Sequence, residues 1–230
     1  MSRTVVVTGG AKGIGLAVVE RFTALGDEVV GLSHADLDVT DEDAVARVFA
    51  DIGDVDVLVN NAGIAESAPL TKTTLKQWRR HFDVNVTGPF LCTRAVVGGM
   101  RSRGAGAIVT VASTAGRIGT PYTSAYTASK HAAVGLMRAV AAELAGTGVR
   151  VNAVCPTFVR TELTARSIAN IVERTGRTTE EAERALTEQT PLGRLLEAGE
   201  VADTVVYLAS DAAEAITGQA LVIDGGGVQA

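Results

Sequence analysis

Apolar residues along this chain gather into short unbroken runs separated by longer stretches of helical period. The runs are Thr4 to Thr8 (TVVVT), Glu28 to Leu32, Val55 to Val59, Ala107 to Ala112, Val149 to Val154 and Ala220 to Asp224. They are rich in valine, too short for helices and lack polar alternation, which predicts strands buried on both faces. Between them Leu16 to Leu25, Asp41 to Phe49, Leu75 to Met100, Ser124 to Ala145 and Glu200 to Ser210 read as helices. Strand and helix in alternation predict an α/β doubly wound parallel sheet, a Rossmann fold with helices on both faces.

One link breaks the rhythm. Only Ser33 to Asp36 separate the second strand from LDVTD, where the next helix begins. A parallel crossover needs about a dozen residues, so no further strand fits there. Six core strands are predicted, with Glu28 to Leu32 on one edge.

The stretch 160–194 has another character. Its charge density rises, Gly176 splits it, and Thr178 to Glu181 form a capping box for a second short helix. Ile168, Ile171 and Val172, then Ala182 and Leu186, make narrow apolar stripes. A helical lid is expected, inserted after a strand, where α/β sheets bind ligands.

Composition narrows the class. The 230 residues suit one domain spanning 1–230, and 47 % apolar content supplies a sizeable core. A net charge of -5 with no basic block makes nucleic acid an unexpected partner. Cys92 and Cys155 lie in apolar contexts; they could pair, but buried free thiols in a reduced compartment are the favoured reading. No apolar run reaches the ~18 residues of a membrane span, and no secretory pattern opens the chain. A soluble, cytoplasmic protein without membrane partners is expected.

The candidate chemistry lies at strand ends. After the first strand come Gly9, Gly10, Ala11, Lys12, Gly13, Ile14 and Gly15, and then a helix. Backbone N–H groups and the helix dipole at such a turn face an anion. The spacing is TGxxxGxG, and by itself it could be a tight connection only. Where the second strand ends, an acidic residue would hold a ribose 2′-OH, but Ser33 stands there. Lys12 and His34 are placed to meet a 2′-phosphate instead, with Asp36 near enough to serve as the missing carboxylate. His34 could equally be a solvated loop residue. Asn60-Asn61-Ala62-Gly63 cap the third strand, and Asn85 lies within a helix, where asparagine is a mediocre former.

Ser113 follows the fourth strand, while Tyr126 and Lys130 fall four apart and share a helix face. A cation beside a phenol favours the phenolate and can bring it toward working pH. The plain alternatives are a capping serine and a surface tyrosine–lysine pair. His81 and His131 have no partners in the pattern and read as structural.

Taken in order, TGGAKGIG, NNAG, Asn85, Ser113 and Tyr126-Thr127-Ala128-Ser129-Lys130 resemble the short-chain dehydrogenase/reductase family, and the likeness runs through ITGQALVIDGG. The resemblance implies an NAD(P)-dependent oxidoreductase acting on a secondary alcohol or ketone. Gly9, Gly13, Gly15 and Ile14 would hold the cofactor diphosphate, Asp38 and Val39 the adenine, and Asn61, Ala62 and Gly63 the floor under the ribose. Tyr126 would be the general acid or base. Lys130 would hold the nicotinamide ribose and depress the tyrosine pKa, and Ser113 would donate to the substrate oxygen. Asn85 would anchor a water, and Val159 and Thr161 would meet the carboxamide end of the nicotinamide. Pro156 is followed by Thr157 where the family usually has glycine, so that end of the pocket is expected to be narrower. The family's usual third strand is missing, which opens the adenosine side. No metal is expected.

The stretch Val159 to Leu163, the lid and Gln189-Thr190-Pro191 look most like D-3-hydroxybutyrate dehydrogenases and polyketide or acyl-thioester ketoreductases. A 3-hydroxy or 3-keto acid or thioester is therefore the expected substrate. NADP(H) is the favoured cofactor, with NAD(H) as the alternative. A homotetramer paired through the helices at 75–100 and 124–145 is expected. A non-catalytic dinucleotide sensor on the same fold, and sugar-nucleotide epimerase chemistry, are the competing readings.

Overall fold

The computed structural model describes residues 2–188 and 190–229. Six parallel strands form one sheet: β1 (Thr4–Thr8), β2 (Glu28–Leu32), β3 (Val57–Asn60), β4 (Gly106–Val111), β5 (Val149–Pro156) and β6 (Ala220–Ile223). Their spatial order is β2-β1-β3-β4-β5-β6. β2 pairs only with β1, from Thr4 opposite Glu28 to Thr8 opposite Leu32, and is the edge that the short link requires. Val5, Val6 and Val7 have no exposed surface, as expected for a central strand covered on both faces.

The helices are α1 (Gly13–Ala24), α2 (Glu42–Ile52), α3 (Leu75–Phe82), α4 (Gly88–Arg103), α5 (Ser124–Glu143), α6 (Glu162–Thr175), α7 (Thr179–Thr187) and α8 (Ala198–Leu208). One face of the sheet packs Val6, Leu58, Ile108 and Val151 against Phe49, Leu91, Met100 and Met137 from α2, α4 and α5. The other packs Val5, Val7, Val57 and Val109 against Val18 and Phe22 of α1 and Val201 and Val205 of α8. Strand side chains alternate between two apolar layers, which is why the runs show no polar positions. Cys92 and Cys155 are buried free thiols.

Two expected elements differ. The third strand begins at Val57, because the Asp56 carboxylate accepts from the Thr4 amide at 2.8 Å and stands at the strand's entrance. The helix expected over 75–100 is interrupted by a wider π-turn, Asp83–Thr87. Pro89 has no N–H for the carbonyl of Asn85, so the regular i→i−4 ladder cannot pass this point.

The two helices expected within 160–194 form as α6 and α7. Thr178 and Glu181 close their capping box, and Ile168, Ala182 and Leu186 cluster with Phe158, Ile171 and Val172. Gln189 lies outside the described residues.

Candidate active site

The C-terminal ends of β1, β3, β4 and β5 share one edge of the sheet, beside the point between β1 and β3 where the strand order reverses and α/β sheets bind ligands. At β1 the chain turns through Gly9 (φ 66) into α1. A Cβ on Gly15 would lie 2.2 Å from the Gly9 carbonyl oxygen and 2.5 Å from Asn61 Nδ2, so only glycine fits. Ile14, between Gly13 and Gly15, packs at the margin of the apolar layer shared by α1 and α8. The first turn of α1 has no side-chain cap and no acidic residue. By contrast α2, α3, α6 and α7 are capped by Asp41, Thr74, Thr161 and Thr178. The open amides at the start of α1 suit an anion, and the glycine cradle suits its close approach. The residues present therefore fit a dinucleotide diphosphate.

Thr8 was not singled out from the sequence, yet it builds the floor. Its hydroxyl accepts from the amides of Asn61 and Ala62 at 3.1 Å each. Asn61 in turn donates to the carbonyls of Thr8 (3.0 Å) and Gly9 (3.1 Å). The signal available was a polar residue ending a wholly buried valine run, 2 % exposed. Gly63 sits beside the catalytic-side residues: a Cβ there would be 3.2 Å from Asn85 Oδ1 and 3.6 Å from Lys130 Nζ.

The groups expected around a 2′-phosphate have other partners. Lys12 Nζ pairs with Glu162 Oε2 at 2.7 Å, both exposed, because the first residue of α6 comes down beside the glycine turn. The Ser33 amide and hydroxyl both donate to Asp36 Oδ2, at 2.8 and 2.6 Å. These bonds hold the Asp36 carboxyl below its usual range, the hydroxyl being the larger cause. His34 is exposed. Asp38 accepts from the amide and hydroxyl of Thr40, at 2.9 and 2.7 Å, while Val39 is buried against Gly88.

Further along the same edge of the sheet, Ser113 lies just beyond β4 with its hydroxyl accepting from Ala115 at 3.1 Å. The following turn approaches α5 so closely that a Cβ on Gly116 would be 2.8 Å from the Lys130 carbonyl oxygen. Ser113 stands in hydrogen-bonding reach of the Tyr126 phenol. Lys130 is 6 % exposed. Its ammonium donates to the Val111 carbonyl at 2.9 Å and stands 5.8 Å from the centre of the Tyr126 ring. Burial lowers the lysine pKa to about 8.

The tyrosine corrects an expectation. Its pKa is raised, by burial first, with Ser113 drawing it partly back down. Lys130 was expected to depress it, but burial is the largest cause and acts upward, and the downward pull comes from Ser113.

Asn85 is 1 % exposed. Its Oδ1 accepts from the Ile64 amide at 2.9 Å, and its Nδ2 donates to Ile64 O and Ser129 Oγ at 3.0 Å each. Ser129, fully buried, donates to the Tyr126 carbonyl at 2.8 Å. The side chain expected to anchor a water is thus occupied in joining the β3 loop to α5. Ser129, three residues after Tyr126, was the other member missed. His81 is structural as expected: its Nε2 accepts from the Glu66 amide (3.1 Å), so Nδ1 carries the proton donated to Gln77 O (2.8 Å). It also stands edge-on to Tyr126, with ring centres 6.4 Å apart.

Beyond Pro156, the buried Val159 bridges to Leu196, and a methyl of Thr161 would lie 3.2 Å from a Cβ on Gly13. The N-terminal end of α6 therefore lies close beside the glycine turn. Among the described residues no cluster could hold a metal ion, and no helix is long and apolar enough to cross a membrane.

A glycine turn at β1, a serine at the end of β4 and a tyrosine–lysine pair on α5 are the working parts of the short-chain dehydrogenases and reductases, and the chain belongs to that family. A family model described as enoyl-(acyl carrier protein) reductase matches residues 31–227. The cis-4-hydroxycyclohexanecarboxylate dehydrogenase of Sinomonas cyclohexanicum is 40 % identical, aligned over 97 % of this chain and 96 % of that one. The acetoacetyl-CoA reductase of Rhizobium meliloti (strain 1021) is 38 % identical over 98 % of both. Among solved structures, the actinorhodin polyketide ketoreductase with NADPH superposes with a TM-score of 0.89. It is 34 % identical and covers 98 % of this chain and 97 % of its own. Members of the family are oxidoreductases acting on CH–OH groups.

Proposed function

We propose that the protein interconverts a secondary alcohol and a ketone with NADP(H), on a 3-hydroxy or 3-keto acid or acyl thioester, using Tyr126 as proton donor and acceptor. One observation carries the assignment: Ser113, Tyr126 and the buried Lys130 ammonium stand together across the C-terminal edge of the sheet from a glycine turn that leaves the start of α1 open. NADP(H) supplies or takes the hydride when bound. Gly9, Gly13, Ile14 and Gly15 hold its diphosphate, Asn61 to Gly63 lie under the ribose, and Asp38 and Val39 border the adenine. Pro156, Val159 and Thr161 face the nicotinamide end, and Lys130 the nicotinamide ribose.

In reduction, the Ser113 hydroxyl donates to the carbonyl oxygen and fixes its position. The Tyr126 hydroxyl then gives that oxygen its proton. The neutral phenol is the form that gives a proton in reduction, and the phenolate the form that takes one in oxidation. The choice of NADP(H) is supported by the NADPH of the actinorhodin ketoreductase and by Ser33 standing where an acid would prefer NAD(H). The thioester class is supported by the acetoacetyl-CoA reductase likeness, whereas the cyclohexanecarboxylate dehydrogenase keeps cyclic alcohols in the test panel. A cytoplasmic homotetramer joined through the helical stretches at 75–100 and 124–145 completes the reading.

The test follows nicotinamide absorbance with acetoacetyl-CoA, 4-oxocyclohexanecarboxylate and simple cyclic ketones. Wild type should oxidise NADPH with at least one of them. Tyr126→Phe should keep its cofactor affinity and lose ~10²–10⁴-fold in kcat. Retained turnover in Tyr126→Phe, or a wild type inert toward the whole panel, overturns the reading.

A further inference from the structure

Among the described residues, Tyr122 is the one residue other than glycine with a positive φ, at 63°. An L-residue in the left-handed region carries a steric cost that glycine does not. Nothing in the protein's own packing offsets it. The ring is 68 % exposed, so it fills no core. The one bond made by this residue's backbone carbonyl, accepted from Ala68 at 2.8 Å, would be made equally well by glycine. A turn that needs positive φ but carries a large exposed aromatic points to a use for the ring outside the fold.

The surroundings say where. Tyr122 precedes α5 and stands four residues before Tyr126. With Ser67, Ala68, Gln77, His81 and Ser124 it lines a recess between the β3–α3 loop and the start of α5. His81 of that recess meets the Tyr126 ring edge-on. The recess also holds the buried Ser124 hydroxyl, which has no hydrogen-bond partner. The recess itself has room for little more than a water molecule and Ser124 Oγ is buried, so the apolar body of a substrate would lie across the rim, on the exposed Tyr122 ring and beside the Glu66 carboxylate.

We infer that Tyr122 is a specificity-determining residue, its ring forming the wall against which the substrate's non-reacting part packs. The inference rests on the oxidoreductase reading above. It requires the ring to raise selectivity at the expense of local backbone strain, so stability and substrate use should respond to substitution in opposite directions.

The test compares Tyr122→Gly, Tyr122→Asn and Tyr122→Phe in the full chain, by thermal melting and by steady-state kinetics with NADPH and the best ketone of the panel. Tyr122→Gly should melt roughly 2 °C or more above wild type, as expected for relieved strain in a chain of this size. Its KM for the ketone should rise about tenfold, with kcat and the KM for NADPH within about twofold of wild type. Tyr122→Asn tolerates the same turn and should show the same KM increase. Tyr122→Phe keeps the ring and should behave as wild type in kinetics. If Tyr122→Gly and Tyr122→Asn keep kcat/KM within twofold while wild type is active, the inference falls and the oxidoreductase reading stands. A wild type without turnover on the panel removes both.

Discussion

Asn85 Nδ2 donates to Ser129 Oγ at 3.0 Å, and the same hydroxyl donates to the Tyr126 carbonyl at 2.8 Å. Through this chain the π-turn at Asp83–Thr87 and the helix bearing Tyr126 and Lys130 are held in register. Asn85 also meets both backbone groups of Ile64. Asn85→Ala would therefore leave the Ile64 amide and carbonyl without this partner and take from Ser129 Oγ the bond it accepts. The expected loss is about 2–3 kcal/mol by chemical denaturation, with kcat reduced at least about tenfold. Ser129→Ala should cost about 1 kcal/mol, and the double variant less than the sum, because both act on one network. Strict additivity would show the network to be incidental.

Lys130 makes stability depend on pH. Its pKa falls from 10.5 to about 8, so between those values the unfolded chain binds a proton that the folded protein has lost. Stability from this group accordingly rises with pH across that window and is flat below it. Lys130→Met removes the titration. The stability difference, wild type minus Lys130→Met, should grow in favour of wild type from pH 8 to 10.5, by on the order of 3 kcal/mol. Tyr126, whose pKa is raised, works in the opposite sense from about pH 10 upward, equally in both proteins. Denaturant melts of the two proteins at matched pH values check this; a difference that stays constant would refute the buried-ammonium assignment.

Asp36 is expected to limit the preference for NADP(H) over NAD(H). Its carboxylate takes both donors of Ser33 and is held ionised by them. A 2′-phosphate at the end of β2 would meet a negative charge and a serine already engaged. Asp36→Asn should tighten NADPH binding about tenfold and leave NADH within twofold, with the gap shrinking at high salt. Lys12→Ala should weaken NADPH less than that, since Lys12 is paired with Glu162. Fluorescence titrations with both cofactors decide it.

Gly15→Ala tests the cradle. The added methyl would stand 2.2 Å from a backbone oxygen, Gly9 O, and 2.5 Å from Asn61 Nδ2. Because the oxygen belongs to the turn itself, the turn must open. NADPH affinity should fall more than about tenfold and the melting temperature by several degrees. Gly135→Ala, on an α5 position where a Cβ meets nothing, is the control.

Much of the site was legible along the chain because it depends on local quantities. The four residues from Ser33 to Asp36 cannot hold a crossover, so β2 had to be an edge. The Thr178–Glu181 box and the stripes at Ile168 and Leu186 placed α6 and α7 for the same reason: capping and helical period act within a few residues. Tyr126 and Lys130 share a helix face at any i,i+4 spacing.

What tertiary structure alone decided are the partners and the water content of each group. Lys12 turns to Glu162, 150 residues away in sequence, and Asn85 to Ser129, 44 away. No periodicity records a hydrogen bond across such distances. The Tyr126 pKa moves up rather than down because desolvation depends on every atom packed around the phenol, and spacing along one helix carries only the identity of its neighbour.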